Sequence, residues 1–460
     1  MGLKSTWVNI PEITLRGKMS QEIIKKLDDD LILRCATVDD TEALVSFNSE
    51  IHKDEGEDEP NEFIKAWVRD LMTKPHPTTK PGDFTVVVDT NSGKIVSSLN
   101  LIPQTWSYEG VAFDVGRPEL VGTNPEYRRR GLIREQFDVI HNWSAERGHL
   151  MQAITGIPYY YRQFGYEMCL NLGGVRIGYQ PHIPKLDDDK EEDFTFDTAS
   201  RDDIPFIAEI YNNAVKRSMI SCVRDENIWE YDICVKSEKA SAVCMVIKTT
   251  QGEPVGFVQH GPVMWGPNIQ VWGYELKPGA SYLEVTPSVI RYLEKTGIKL
   301  AENKEKIDFQ GYSFSLGADH PVYDTLPERM PRVGKPYTWY IRVPDLVRFL
   351  TQIREVLERR LSESPAVGYS GDLKVSFHKS AIKFVFDVGA ITSVESYVPE
   401  DTNDGDVYYP EHTFLQALVG YKSFDELTDN FPDCYARNDH GRALAKFLFP
   451  KKSSNVWAIN

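Results

Sequence analysis

The chain has 460 residues, too many for one hydrophobic core, and its length predicts about three domains. Its composition, 41% apolar and 26% charged, is that of a folded globular chain and excludes a disordered or low-complexity protein. Lysine and arginine number 52 against 68 aspartate and glutamate; the net charge of −16 disfavours nucleic acid and anionic membranes as partners, and it reads either as a field that draws cations, a polyamine among them, or equally as a device for solubility.

No apolar run approaches the ~18 residues a membrane span requires. The first twenty residues carry Lys4, Glu12, Arg16 and Lys18 around no apolar segment, so a secretory signal is not expected and a cytoplasmic location is. Six cysteines (Cys35, Cys169, Cys222, Cys234, Cys244, Cys434) are scattered without a Cys-x-x-Cys pair, which favours reduced thiols over disulfides or a zinc site. The histidines form no His-x-x-x-His or His-x-Glu pattern, and no metal is expected.

A polar extension of about thirty residues comes first. The segment LILRCATVDDTEALVSFNSEIH then reads as a short strand, a turn capped by Asp39-Asp40, and an amphipathic helix. An acidic loop, His52 to Pro60, follows; it is a solvated surface or a lure for a cationic substrate. Further on, an apolar segment with Leu120 and Val121 is stopped by Asn124-Pro125. A basic turn, Arg128-Arg129-Arg130-Gly131, opens into a helix whose Leu132, Ile133, Gln136, Phe137 and Ile140 share one face. A strand feeding a basic, glycine-containing helix start makes an anion site, because unpaired N–H groups, the helix dipole and guanidinium groups converge there. The competing reading is a solvated, ion-paired arginine turn. Downstream, Tyr161 precedes Arg162 and a Phe164-Gly165-Tyr166 turn.

After the acidic run from Asp187 to Asp193, the segment FTFDTASRDDIPFIAEIYNNA repeats the opening pattern. ATVDDTEALVSFN and ASRDDIPFIAEIYN share an Ala, an Asp-Asp cap and the apolar spacing behind it, which indicates an internal duplication. Val243–Ile247 and Pro254–Val258 read as a hairpin around Gln251-Gly252. Tyr274-Glu275-Leu276 stands where the second copy should enter its basic turn. Ala280 to Glu284 replaces that turn, so the second copy is expected to bind no phosphate. From Val343 a helix capped near Pro344-Asp345 leads into apolar strands Leu373–Phe377 and Ala381–Phe386, with helices around Thr413–Leu418 and Phe424–Leu427: a small sheet flanked by helices.

The run TNPEYRRRGLIR resembles motif A of the GNAT N-acetyltransferases. Arg128 and Gly131 match it, while Ile133 replaces the second small residue. That departure, with Arg134 after it, is similar to the enhanced-intracellular-survival (Eis) branch. YRQFGY resembles the end of the GNAT core, with Tyr161 four residues before Gly165. The resemblance implies an α/β (α+β) chain: two tandem GNAT-type domains followed by a sterol-carrier-like α+β domain. Its segments would be a 1–30 extension, a catalytic acetyl-CoA-binding domain at 31–180, a degenerate second copy at 190–342, and the sterol-carrier-like domain at 343–460. It further implies transfer of acetyl from acetyl-CoA to an amine (an aminoglycoside, a polyamine or a lysine side chain) and an assembly of identical chains such as a hexamer.

Roles follow on the same terms. The donor's phosphates would sit on the amides and side chains of Arg129, Arg130, Gly131, Leu132, Ile133 and Arg134. Its pantetheine arm would pair with strand backbone at Val121, Gly122 and Thr123, and the resemblance adds Gly156 and Ile157 beside the arm. Tyr161 would protonate the leaving thiolate, a phenol of pKa near ~10 facing a thiol of about 8.5. The resemblance assigns the base to the C-terminal carboxylate, here Asn460, held by an apolar tail of Trp457, Ala458 and Ile459. The rival base is Glu119, which strand parity places on the face of Val121 and which otherwise reads as an arginine-paired carboxylate. Two non-enzymatic readings compete: an acyl-CoA-responsive binding protein, and a lipid carrier with a cavity under Leu373 to Phe386. The sequence names no acceptor, because acceptor pockets are built from variable loops.

Overall fold

Strand-forming runs dominate the chain. The computed structural model describes residues 23–28, 30–53, 58–187, 189–264, 266–302, 308–401 and 403–460. Residues 1–22 of the polar extension, residues 54–57 of the acidic loop and residue 188 of the acidic run lie outside the described residues. The first seven strands are β1 (Ile23–Asp28), β2 (Leu31–Cys35), β3 (Phe84–Asp89), β4 (Ile95–Tyr108), β5 (Val111–Thr123), β6 (Met151–Ile154) and β7 (Glu167–Leu172). Then come β8 (Arg176–Tyr179), β9 (Phe194–Thr198), β10 (Ile220–Cys222), β11 (Val243–Thr249), β12 (Pro254–His260), β13 (Asn268–Leu276), β14 (Gly311–Phe314), β15 (Arg332–Val333) and β16 (Tyr337–Arg342).

Among the described residues the first sheet runs β1-β2-β3-β4-β5-β6-β16-β7, with β10 paired to β4, and the second runs β15-β8-β14-β13-β12-β11-β9. A third sheet of β17 (Gly371–Ser376), β18 (Ala381–Asp387), β19 (Ala390–Tyr397), β20 (Val407–Tyr408) and β21 (Tyr435–Ala436) has the order β19-β18-β17-β20-β21. The chain is a mixed α/β fold of several sheets, as the sequence predicts.

The duplicated openings fold alike for one local reason. Asp40 accepts a hydrogen bond from the Thr37 amide (2.8 Å) and Asp203 from the Ser200 amide (2.9 Å), so each Asp-Asp turn closes the same capping box. Behind these turns run α1 (Thr41–Ile51) and α4 (Ile204–Ala214). Two further helices pack on the first sheet: α2 (Glu62–Thr73) on the α1 side, and α3 (Leu132–Glu146) on the opposite face.

The sheets also exchange strands. β8, which precedes the second copy in sequence, hydrogen-bonds to β14, and β16, which follows it, inserts between β6 and β7 of the first sheet. The first two units therefore interlock rather than meet at a linker. β1 extends the first sheet within the stretch read as an extension.

The third sheet shares one core with the first. Leu373, Val375, Phe384 and Phe386 cluster with Trp106, Val115 and Trp339, so the apolar strip a lipid carrier would open as a cavity is packed. No helix among the described residues is long and apolar enough to cross a membrane.

Burial pushes three imidazoles down, His76 and His149 to about 4 and His141 to about 3. In the unfolded chain these rings titrate near ~6.5. Below that pH the unfolded state binds more protons than the folded one, so stability is full above it and is lost as pH falls toward about 4. The unfolding free energy from urea titration should be lower at pH 4.5 than at pH 7.5, by about 2 kcal/mol per ring; a flat profile would show that the rings are not held neutral.

Candidate active site

β5 pairs with β4 along its length but with β6 only at Val115–Met151 and Gly116–Gln152. Past Gly116 these two parallel strands part, and residues 117–123 of β5 keep one edge without a strand partner. Leu120, at a φ of 53°, puts a bulge into the same stretch: Ser98 stands opposite Gly122, and Asn100 opposite Glu119. The extra residue reverses the parity of the strand. Leu120 joins the core under α1 and α2, whereas Val121 packs with Phe137 and Tyr161 under α3. Glu119 stays on the side of Arg117, so the expectation that Glu119 and Val121 share a face is corrected, and the bulge is the reason. Gly122 lies against α1, where a β-carbon would come within 2.7 Å of Ile51 Cγ2. The Ser97 hydroxyl bonds to the Gly122 carbonyl (2.9 Å) and to Thr123 Oγ1 (2.9 Å), which fixes the end of β5.

The basic turn follows directly. Arg129 (φ 65°) and Gly131 (φ 76°) are left-handed, and Gly131 caps the fifteen-residue helix α3. Nothing lies within 4 Å of a β-carbon built on Gly131, so a ligand can reach its backbone. Arg128, Arg129, Arg130 and Arg134 are exposed, Leu132 is buried, and Ile133 is half-buried against Phe137. Arg130 pairs with Asp28 and lies 5.7 Å from the Tyr127 ring. Arg134 donates to Gln163 Oε1 (3.0 Å) and covers Phe164. Among the described residues no carboxylate pairs with Arg128 or Arg129. The open N–H groups, uncovered glycine and unpaired guanidinium groups fit a pyrophosphate better than they fit an ion-paired surface.

Tyr161 sits in a short turn, Tyr160–Phe164, entered through Tyr159 (φ 68°) and left through Gly165 (φ 82°). These two left-handed residues fold the turn inward and bury the Tyr161 ring against Phe137 and Tyr340. Among the described residues its hydroxyl makes no hydrogen bond. Tyr166 is buried as well, but its hydroxyl bonds to His141 Nε2 (2.9 Å), and Tyr159 is exposed. Full burial sets Tyr161 apart from the exposed Tyr159 and the half-buried Tyr160, and its unengaged hydroxyl sets it apart from Tyr166. Burial, with the Glu119 carboxylate adding to it, pushes the phenol up, so it stays protonated throughout the working pH range. Gly156 (φ 136°) makes room for it: a β-carbon there would lie 3.1 Å from Tyr161 Oη. Ile157 is exposed, and its carbonyl accepts from Tyr340 (3.4 Å). Gly156→Ala should strain the backbone, displace the phenol and lower kcat about tenfold or more, with the KM for the acyl donor little changed; steady-state kinetics decide it, and an unaltered kcat would remove Tyr161 from the site.

The C-terminus reaches the same place. Ile459 is fully buried, and its carbonyl accepts from Gln104 Nε2 and from Arg117, each at 2.8 Å. Arg117 also donates to Asn460 Oδ1 (2.6 Å) and pairs with Glu119 (2.5 Å), its guanidinium lying between the Trp67 and Trp339 rings. The His76 ring faces the Asn460 main chain. Upstream, Trp339 Nε1 donates to the Val456 carbonyl and Trp457 Nε1 to that of Ser315, each at 3.1 Å. The tail is anchored, as its apolar sequence suggests.

Four residues here were not singled out from sequence. Arg117 joins Glu119 to the terminal residue; its alternation with Glu119 along one strand was the available signal. His52, at the end of α1, has a buried Nε2 that finds no hydrogen-bond partner among the described residues, and burial holds its ring neutral against the pull of Glu119. His76 faces the tail. Asn100, opposite Glu119, has both amide atoms buried and unpartnered among the described residues. Nothing in the sequence marks Asn100, because its place opposite Glu119 depends on the bulge.

Residues 33–169 match the family model described as an acetyltransferase (GNAT) domain. No curated protein matches the chain. Among solved structures, a probable N-acyltransferase of Enterococcus faecalis has 13% identity and a TM-score of 0.62, over 92% of this chain and 97% of that one. A GCN5-related N-acetyltransferase of Kribbella flavida has 16% identity and a TM-score of 0.61, over 93% and 97%. Eis1 of Mycobacterium abscessus has 14% identity and a TM-score of 0.54, over 92% and 99%. At these identities the likeness is one of fold. Residues 33–169 are similar to a GNAT acetyltransferase domain, and the class of enzyme this defines is an acyltransferase.

Proposed function

We propose that the enzyme moves an acetyl group from acetyl-CoA to the amine of a cationic acceptor (aminoglycoside, polyamine or lysine type) in the gap between β5 and β6. The observation carrying this reading is the convergence there of Tyr161, the Arg117–Glu119 pair and the chain terminus, at one end of a strand edge that leads to the arginine turn. The donor supplies a thioester. Arg129, Arg130, Arg134 and the amides of Gly131, Leu132 and Ile133 hold its phosphates, and the open edge of β5 at Val121, Gly122 and Thr123 takes its arm, with Gly156 and Ile157 across the gap. On the other face Asn100 and His52 offer polar contacts to the acceptor. The terminal carboxylate of Asn460 removes a proton from the amine, the amine nitrogen bonds to the carbonyl carbon as the carbon–sulfur bond breaks, and Tyr161 gives its proton to the sulfur. In this reading residues 31–180 are catalytic, 190–342 a copy without the phosphate turn, and 343–460 a sterol-carrier-like unit that delivers the terminus.

The test is release of free CoA thiol from acetyl-CoA across aminoglycosides, polyamines and lysine peptides. Turnover is expected with cationic amines above neutral ones. Tight CoA binding with no turnover for any amine would leave a binding protein instead. In the same assay Arg129→Glu should raise the KM for acetyl-CoA roughly tenfold with kcat within twofold, as loss of a charge-assisted phosphate contact requires.

A further inference from the structure

The second copy repeats the geometry that makes the first copy a site. β13 pairs with β14 in parallel from Asn268–Gly311 to Val271–Phe314, and beyond that point the two strands separate. Trp272 forms a bulge there, since Gln259 stands opposite Gly273 and His260 opposite Val271. The gap opens into a cavity of about 810 Å³ between the second unit, the third unit, β7 of the first sheet and the C-terminal tail. It occupies the place in the second copy that the acceptor side of the catalytic gap occupies in the first. The end of α4 borders it, as His52 at the end of α1 faces Glu119.

Its chemistry differs from that of the catalytic gap in two respects. The walls present half-buried aromatic faces: Tyr211 from α4, Trp272 from the bulge and Trp457 from the tail, the two indoles 6.2 Å apart. The third unit contributes cations, Lys422, Lys451 and Lys452, to a cavity whose lining carboxylates are Glu275 and Asp319. The lysines are incompletely neutralised. Lys422 (3.7 Å) and Lys451 (2.7 Å) share Glu426, and Lys452 (2.8 Å) shares Glu109 with Arg359 and Arg360. Glu275 does not oppose an anion, because Arg217 pairs with it and Tyr282 donates to it (3.0 Å). In a chain of net charge −16, an aromatic cavity with surplus cations selects against the cationic acceptors of the first site.

We infer that this cavity is a second ligand site, and that it takes a small organic anion with an aromatic body. The site is independent of the phosphate turn, which the second copy lacks. Trp457 of its wall lies three residues from Asn460, so occupancy places a ligand against the segment that carries the terminal carboxylate.

The probe is 8-anilinonaphthalene-1-sulfonate, titrated by fluorescence into the full chain saturated with CoA. One saturable site is expected, with a Kd at least tenfold weaker in Trp272→Ala and in the double variant Lys422→Glu/Lys451→Glu. It should be unchanged in Lys379→Glu/Lys383→Glu, which alters the same charge on the distant hairpin of β17 and β18. Thermal unfolding checks each variant; should Trp272→Ala fail to fold, the lysine pair, on the surface, decides alone. Equal affinity in wild type and the Lys422/Lys451 variant, or absence of saturable binding to the CoA-saturated chain, would each overturn the proposal.

Discussion

Tyr161→Phe should lower kcat by about 10²–10³ while the Kd for CoA stays within threefold of wild type. The ring is buried and packed on Phe137 and Tyr340, so phenylalanine keeps its contacts and removes only a hydroxyl that bonds to no described residue. Folding stability should therefore be unchanged, in contrast to removal of the hydroxyl of Tyr166, which is bonded to His141. Because burial raises the phenol, wild-type activity should not fall up to about pH 9 through loss of this proton. Stopped-assay kinetics with CoA titration check both halves of the expectation. A variant that keeps full turnover would show that the thiolate leaves without help from this phenol.

The second large effect belongs to the terminus. Lengthening the chain beyond Asn460 should cost about 10² in kcat, because Arg117 and Gln104 fix Ile459 and the side chain of Asn460, and the nearby Glu119 carboxylate is engaged by Arg117. Asn460→Ala keeps the carboxylate and loses one hydrogen bond to Arg117, so it should cost no more than about fivefold. An extended chain should also regain rate as pH rises toward the pKa of the free amine, since the acceptor then arrives without its proton. Turnover that survives extension would move the base to Glu119 or to water, and Glu119→Gln would separate those two.

The site was legible in sequence where its chemistry is local. The arginine turn, the helix behind it and the Tyr161 turn each depend on a few adjacent residues whose backbone preferences decide the geometry, and left-handed Gly131 and Gly165 stand where the pattern put them. The two Asp-Asp capping boxes are local in the same sense, which is why the duplication could be read. What depends on distant strands could not. Leu120 gives no sign that it takes a left-handed conformation, so Glu119 was placed on the wrong face. Strands as short as β8 and β16 carry no mark of which sheet they join, and only packing of the whole chain sends them across. Arg117 becomes a hub because the tail returns from more than 340 residues away, a contact no spacing rule contains.

In the proposed reaction donor and acceptor meet in the gap between β5 and β6 and react without a covalent stop. Among the cysteines, Cys169 is buried with its thiol pushed far up, a poor nucleophile. The measurement that tests the claim most directly is the initial-velocity pattern with acetyl-CoA and one accepted amine varied together. Intact-mass analysis of enzyme mixed with acetyl-CoA alone belongs in the same experiment. Intersecting lines and an unmodified chain are predicted. Parallel lines with a chain carrying one acetyl group would contradict the account.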